Sequence, residues 1–125
     1  MAYKIAIIVG SLREASLNQK VARSICAMRN DNLECSMIEI GDLPLYNQDS
    51  DANPPEQYVR FRQQIAEADG VLFVSPEYNR GIPGVLKNAI DIGSRPYGQS
   101  VFDKKPAAIV TASPGSIGGF GANHQ

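Results

Sequence analysis

Three stretches of the chain concentrate residue types that bind phosphates and planar rings. The first is Gly10-Ser11-Leu12-Arg13-Glu14-Ala15-Ser16-Leu17-Asn18. A loop that feeds a helix presents free backbone amides and the positive end of a helix dipole, which suits a phosphate. Ser11 and Ser16 add hydroxyls, Asn18 an amide, and Arg13 a guanidinium able to grip two oxygens. The stretch contains neither G-x-x-x-x-G-K-[ST] nor G-x-G-x-x-G, so it is neither a P-loop nor a dinucleotide fingerprint. By itself it reads equally well as a capped helix with a surface arginine.

The second stretch is Ser75-Pro76-Glu77-Tyr78-Asn79-Arg80-Gly81-Ile82-Pro83-Gly84. Two prolines, two glycines and a tyrosine shape a rigid loop that exposes backbone donors beside an aromatic ring, a combination that holds planar ligands. An ordinary connection, with Pro83 in the first turn of a helix, would look the same. Glu77 has two readings, a carboxylate in an ion network between subunits or a loop carboxylate facing water. The third stretch, Thr111 to Gly121, is rich in small residues and glycines that let a backbone approach a ligand closely.

Other reactive side chains offer less. The single histidine, His124, has no partner set for a nucleophilic triad. Cys26 and Cys35 lie nine positions apart without a C-x-x-C spacing, so they form neither a disulfide framework nor a zinc pattern and are expected to be small buried hydrophobes. Asp49, Asp51 and Glu56 are expected to be solvated surface, and no metal site is expected.

These stretches gain meaning from the elements that must carry them. Tyr3 to Val9 is a nearly continuous apolar, β-branched run, as in a strand covered on both faces. From an N-cap at Ser16, the positions Leu17, Val21, Ile25 and Met28 recur at helical spacing. Leu33 to Ile40 reads as a second strand, with Leu33, Cys35 and Met37 on one face. Gly41 to Pro54 is polar and turn-rich. A second helix from Pro55 to about Ala68 carries Tyr58, Phe61, Ile65 and Ala68 on one stripe. Gly70 to Val74 is a third strand, the helix near Pro83 carries Val85, Leu86, Ala89, Ile90 and Ile92, and Ala107 to Thr111 is a fourth strand.

Alternating strands and helices predict an α/β fold around a parallel sheet. Ligands of such sheets bind outside the carboxyl ends of the strands, at the topological switch point. The three stretches follow strands one, three and four, so one edge of the sheet gathers them all.

Composition narrows the class without naming a function. The chain has 125 residues, enough for one domain, with 43% hydrophobic and 20% charged residues. A net charge of −1 draws neither nucleic acid nor an anionic membrane. Ile5 to Val9, the longest apolar run, is far short of a membrane span. No charged and then apolar segment opens the chain, and a reducing cytoplasm is the expected home.

Gly10-Ser11-Leu12-Arg13-x-x-Ser16-x-Asn18, Ser75-Pro76-Glu77-Tyr78-Asn79 and Pro83-Gly84-x-Leu86-Lys87-Asn88-Ala89-Ile90-Asp91 together resemble the NADPH-dependent FMN reductase family, within it the flavodoxin-like quinone, chromate and azo-dye reductase branch. The resemblance implies a flavodoxin-like doubly wound sheet, bound FMN, NADPH or NADH as co-substrate, and ping-pong transfer of a hydride to quinones, flavins, azo compounds or metal oxyanions. It implies that Ser11, Arg13, Ser16 and Asn18 hold the FMN phosphate, and that Pro76, Glu77, Tyr78 and Asn79 line the isoalloxazine. Ser113 and Gly115 fall near the ribityl chain and ring. Arg13 and Arg80 are candidate contacts to a 2′-phosphate. The helix with Lys87, Asn88 and Asp91 corresponds to the family's subunit interface, in a homodimer or homotetramer. The flavin carries the redox chemistry, so no catalytic side chain is implied.

Flavodoxin-like sheets have five strands and four are found. The domain, residues 1–125, is therefore expected to be C-terminally incomplete: Gly121 to Gln125 begins a fourth helix, strand four is an exposed edge, and stability and FMN binding are reduced. A flavodoxin-type electron carrier and an apo, non-catalytic fragment of the same fold are the alternatives. The near-neutral charge argues against the carrier, which docks partners through an acidic face.

Overall fold

The computed structural model describes residues 2–125. Four strands, β1 (Tyr3–Val9), β2 (Leu33–Met37), β3 (Gly70–Ser75) and β4 (Ala107–Thr111), form one sheet in the order β2-β1-β3-β4, with every pairing parallel. Four helices accompany them: α1 (Leu17–Ala27), α2 (Glu56–Ala66), α3 (Gly84–Gly93) and α4 (Phe120–His124). A short 3-10 turn at Gln48–Ser50 lies within the segment that the sequence marks only as turn-rich.

Side chains alternate across β1, as the two-residue period of a strand requires. Ala6 and Ile8 point to one face, where they join Tyr58, Phe61 and Ile65 of α2 and Leu86, Ala89 and Ile92 of α3. Ile7 and Val9 point to the other face and pack with Val74 and with Ala22 of α1. Helices thus lie on both faces of a parallel sheet, the doubly wound α/β arrangement of flavodoxin-like folds. Because β1 leads to β2 on one side and β3 leads to β4 on the other, the switch point falls between β1 and β3.

Two elements differ from the sequence reading. Strand β2 stops at Met37, although the Ile38 amide still donates to the Ile7 carbonyl at 2.9 Å, and Ile38 and Ile40 are buried beyond it. On α1 the buried positions are Asn18 and Ala22, while Leu17 is exposed and Met28 is 77% exposed. The helix is rotated by about one position from the expected stripe, because the polar Asn18 turns inward to bond a neighbouring loop. This leaves Ile25 and Met28 beside an open apolar groove that also includes Ile5, Leu72 and Ala108.

Candidate functional site

Loop 1, between β1 and α1, is fixed by its first glycine. The Gly10 amide donates to the Val74 carbonyl at 2.8 Å, and a Cβ at Gly10 would lie 2.8 Å from Ser75 Oγ. Only glycine lets the first loop run this close to the end of β3. Ser11 is buried, and its Oγ accepts from the Arg13 amide at 3.4 Å. Ser16 is the N-cap of α1, and its Oγ accepts from the Gln19 amide at 3.3 Å. Both hydroxyls are engaged as acceptors, which leaves their protons free to donate outward.

The first four amides of a helix have no partner within it. Here Gln19 is satisfied by Ser16 Oγ and Lys20 by the Ser16 carbonyl, so the Leu17 and Asn18 amides remain open. Arg13 is exposed, and neither of the two ion pairs among the described residues uses it. Two hydroxyl donors, an open helix N-terminus and an unpaired guanidinium therefore share one loop. This donor set fits a phosphate.

Asn18 connects loop 1 to the loop after β4. Its Nδ2 donates to the Ala112 carbonyl at 3.2 Å, and its Oδ1 is buried with no partner. The Ala112 amide in turn donates to the Ser75 carbonyl at 3.3 Å. Loops from three strands are thus tied together at one end of the sheet. An unpaired buried acceptor costs about 1–3 kcal/mol, and a hydroxyl of a bound ligand would remove that cost.

The loop after β3 is a two-residue hairpin. Tyr78 and Gly81 exchange backbone hydrogen bonds at 2.9 and 3.0 Å, and Asn79 and Arg80 between them have φ of 52° and 67°. This is a turn with both central residues left-handed, natural for asparagine and strained for arginine. It leaves Tyr78 half exposed.

Glu77 does not simply face water. Its Oε1 accepts from the Ala122 amide at 3.1 Å, in the first turn of α4. A carboxylate suits that place, since helix N-termini carry unsatisfied donors and partial positive charge. A Cβ at Gly121 would collide with Glu77 Oε1 and the Arg80 carbonyl, so the contact also needs glycine there. Gln125 adds a second tie, its Oε1 accepting from the Ile82 amide at 2.8 Å. After β4, Ser113 Oγ accepts from the Gly115 amide at 3.0 Å, and Thr111 Oγ1 donates to the Gly118 carbonyl at 2.8 Å.

Other expected residues are placed differently. Asn88 is buried: Nδ2 donates to the Leu43 and Pro44 carbonyls at 3.3 and 3.1 Å, and Oδ1 accepts from the Tyr46 amide at 2.8 Å. It pins the turn-rich segment from inside, so on α3 only Lys87 and Asp91 face outward, paired with each other at 2.5 Å. Cys26 and Cys35 are partly exposed rather than buried. Asp51 Oδ1 accepts from the Tyr46 hydroxyl at 2.9 Å. Among the described residues no cluster of three or more His, Cys, Asp or Glu could hold a metal ion, and no helix is long and apolar enough to cross a membrane.

Two contributors escaped the sequence reading. Gln19 Nε2 donates to the Ser11 carbonyl at 3.2 Å, bracing the first loop from α1. The main chain of Ala112 bridges the first and third strands' loops, and nothing in an alanine signals this.

The family model for NADPH-dependent FMN reductase matches residues 3–125. The chain belongs to that family. It is similar to a quinone reductase of Pseudomonas putida, 59% identical over 123 residues covering 98% of this chain and 66% of the relative. A 2-hydroxy-1,4-benzoquinone reductase of Burkholderia sp is 52% identical over 118 residues, covering 94% of this chain and 64% of that one. The chain therefore spans about two thirds of the length of these relatives. Among solved structures, the flavoenzyme NAD(P)H:(acceptor) oxidoreductase FerB from Paracoccus denitrificans superposes with a TM-score of 0.94 at 45% identity, over 98% of this chain and 68% of that protein.

Proposed function

We propose that this member of the FMN reductase family binds FMN at the carboxyl edge of its sheet and catalyses NAD(P)H-dependent reduction of quinones. The observation that carries this reading is the tying of three loops around the switch point through Asn18, Ala112 and Ser75. Two relatives at 59% and 52% identity are named as quinone reductases, which supports quinones as the acceptor.

In this reading Ser11, Arg13, Ser16 and Asn18 hold the FMN phosphate and the adjoining ribityl chain. The open amides of Leu17 and Asn18 complete the donor set. Pro76, Glu77, Tyr78 and Asn79 border the isoalloxazine, with Ser113 and Gly115 closing the third side. FMN supplies hydride acceptance and donation; the protein supplies binding, orientation and electrostatics. Arg13 sets the positive charge for the phosphate. The left-handed hairpin fixes Tyr78 as a rigid wall, and Glu77 anchors that wall to α4. Ping-pong kinetics follow if nicotinamide and quinone use the same space in turn. Azo compounds, free flavins and metal oxyanions are further acceptors that a pocket of this kind would admit. The exposed Lys87–Asp91 face of α3 is proposed as the contact between subunits in a homodimer or homotetramer, and the cytoplasm as the location.

The test is anaerobic. The chain is loaded with FMN, freed of excess, and mixed with NADPH or NADH. Bleaching of the flavin band followed by its return on adding a benzoquinone is expected. A retained band that neither nucleotide bleaches would overturn the reductase reading in favour of an electron carrier.

A further inference from the structure

Cys26 on α1 and Cys35 on β2 are brought together by a tight connection. The Leu33 amide donates to the Asn30 carbonyl at 3.2 Å, and the Asn32 amide donates to Asn30 Oδ1 at 2.9 Å. Arg29 crosses this turn, its guanidinium donating to the Cys26 carbonyl at 2.5 Å and to the Leu33 carbonyl at 3.2 Å. The end of α1 is thereby strapped to the start of β2. Both cysteines pack against the same small core of Ile7, Val9, Ala22 and Val74, and Cys35 lies close enough to act on the Cys26 thiol.

The two sulfurs are not equivalent. Cys35 lines the open groove beside Ile5, Ile7, Ile25 and Met28, and Cys26 does not. Burial, followed by the hydrogen bond and charge of Cys35, pushes the Cys26 thiol up to about 11. Cys35 is therefore the sulfur that a reagent in the groove meets first, while the Cys26 thiol stays protonated at neutral pH.

We propose that Cys26 and Cys35 form a two-thiol redox site, which low-molecular-weight disulfides convert into an intrachain disulfide joining α1 to β2. Cys35 gives up its proton and its sulfur attacks one sulfur of the incoming disulfide, whose S–S bond breaks; the released half takes up that proton and leaves as one thiol. Cys26 then loses its proton, and its sulfur attacks Cys35, releasing the second thiol. Two protein thiols are oxidised while the reagent's disulfide is reduced to two thiols, so electrons and protons balance. The site lies at the opposite end of α1 from Ser16 and Asn18, and it does not depend on the proposed activity.

The test treats the full chain with oxidised glutathione at neutral pH and weighs it without reduction. The expected product is lighter by two hydrogen atoms, carries no glutathione, and yields a tryptic peptide Ser24–Arg29 linked to the peptide that begins at Asn30. Cys26→Ser should stop with one glutathione on Cys35, and Cys35→Ser should remain unmodified under the same conditions. Stable glutathione adducts on the parent chain, no reaction, a link between two chains, or equal adducts on the two variants would overturn the proposal. The parent measurement stands even if a variant fails to fold.

Discussion

Asn18 carries the largest unresolved polar demand at the site, with its donor used on Ala112 and its acceptor buried and empty. Replacing it by alanine removes both that demand and one tie between loops. FMN affinity of Asn18→Ala is expected to fall about tenfold, a loss of about 1.4 kcal/mol, as measured by quenching of flavin fluorescence. Arg80 shows the reverse situation, strain without a described side-chain bond. Arg80→Gly should raise stability by about 1 kcal/mol, because a non-glycine residue in the left-handed region costs roughly that much; the denaturant midpoint checks it. Ser11, Ser16 and Asn18 were legible because their spacing fits a loop entering a helix. Asn88 was not, since one polar residue in a helix reads as surface unless its buried carbonyl partners are known. The inward contact of Glu77 was not legible for the same reason, its partner being a main-chain amide 45 residues away.

At the level of elements, β1, β4 and the buried stripe of α2 follow the sequence closely, because continuous β-branched runs and a clear 3.6-residue period leave little choice. The face of α1 does not, because hydrogen bonding of Asn18 outweighs burial of Leu17. The segment from Gly41 to Pro54 has no period to read; it is ordered by buried side chains of two helices, Asn88 and Tyr58, the Tyr58 hydroxyl donating to the Pro44 and Leu45 carbonyls. Asn88→Ala breaks three bonds and strands buried backbone groups, so a loss of about 2–3 kcal/mol is expected in chemical denaturation. At the start of the segment, Arg60 pairs with Asp42 at 2.5 and 3.0 Å, and this hydrogen bond holds the Asp42 carboxyl below its ordinary value. A carboxylate lowered on folding contributes stability that is present above its unfolded pKa and is lost as pH falls through the folded value. Both side chains are about a third exposed, so the contribution is at most about 1 kcal/mol. Asp42→Asn should therefore lower stability slightly at neutral pH and flatten its decline below about pH 4, in melts across pH.

For the whole molecule, the order β2-β1-β3-β4 is what turns three separate stretches of sequence into one site. Each stretch alone reads as an ordinary loop, and only the parallel topology puts their ends side by side. The hydrogen bonds from Asn18 to Ala112 and from Ala112 to Ser75 then make the three loops one unit. Binding at one loop should therefore order the other two, and FMN above its dissociation constant should raise the melting temperature with the logarithm of its concentration. The most direct measurement is an FMN titration of the parent chain and of Arg13→Ala, followed by flavin fluorescence. The expected result is saturable binding of one FMN per chain, weakened in the variant by about 10- to 100-fold, the range for a charged hydrogen bond of about 1.5–3 kcal/mol. No saturable binding by the parent, or equal affinity in the two proteins, would contradict a phosphate site on the first loop.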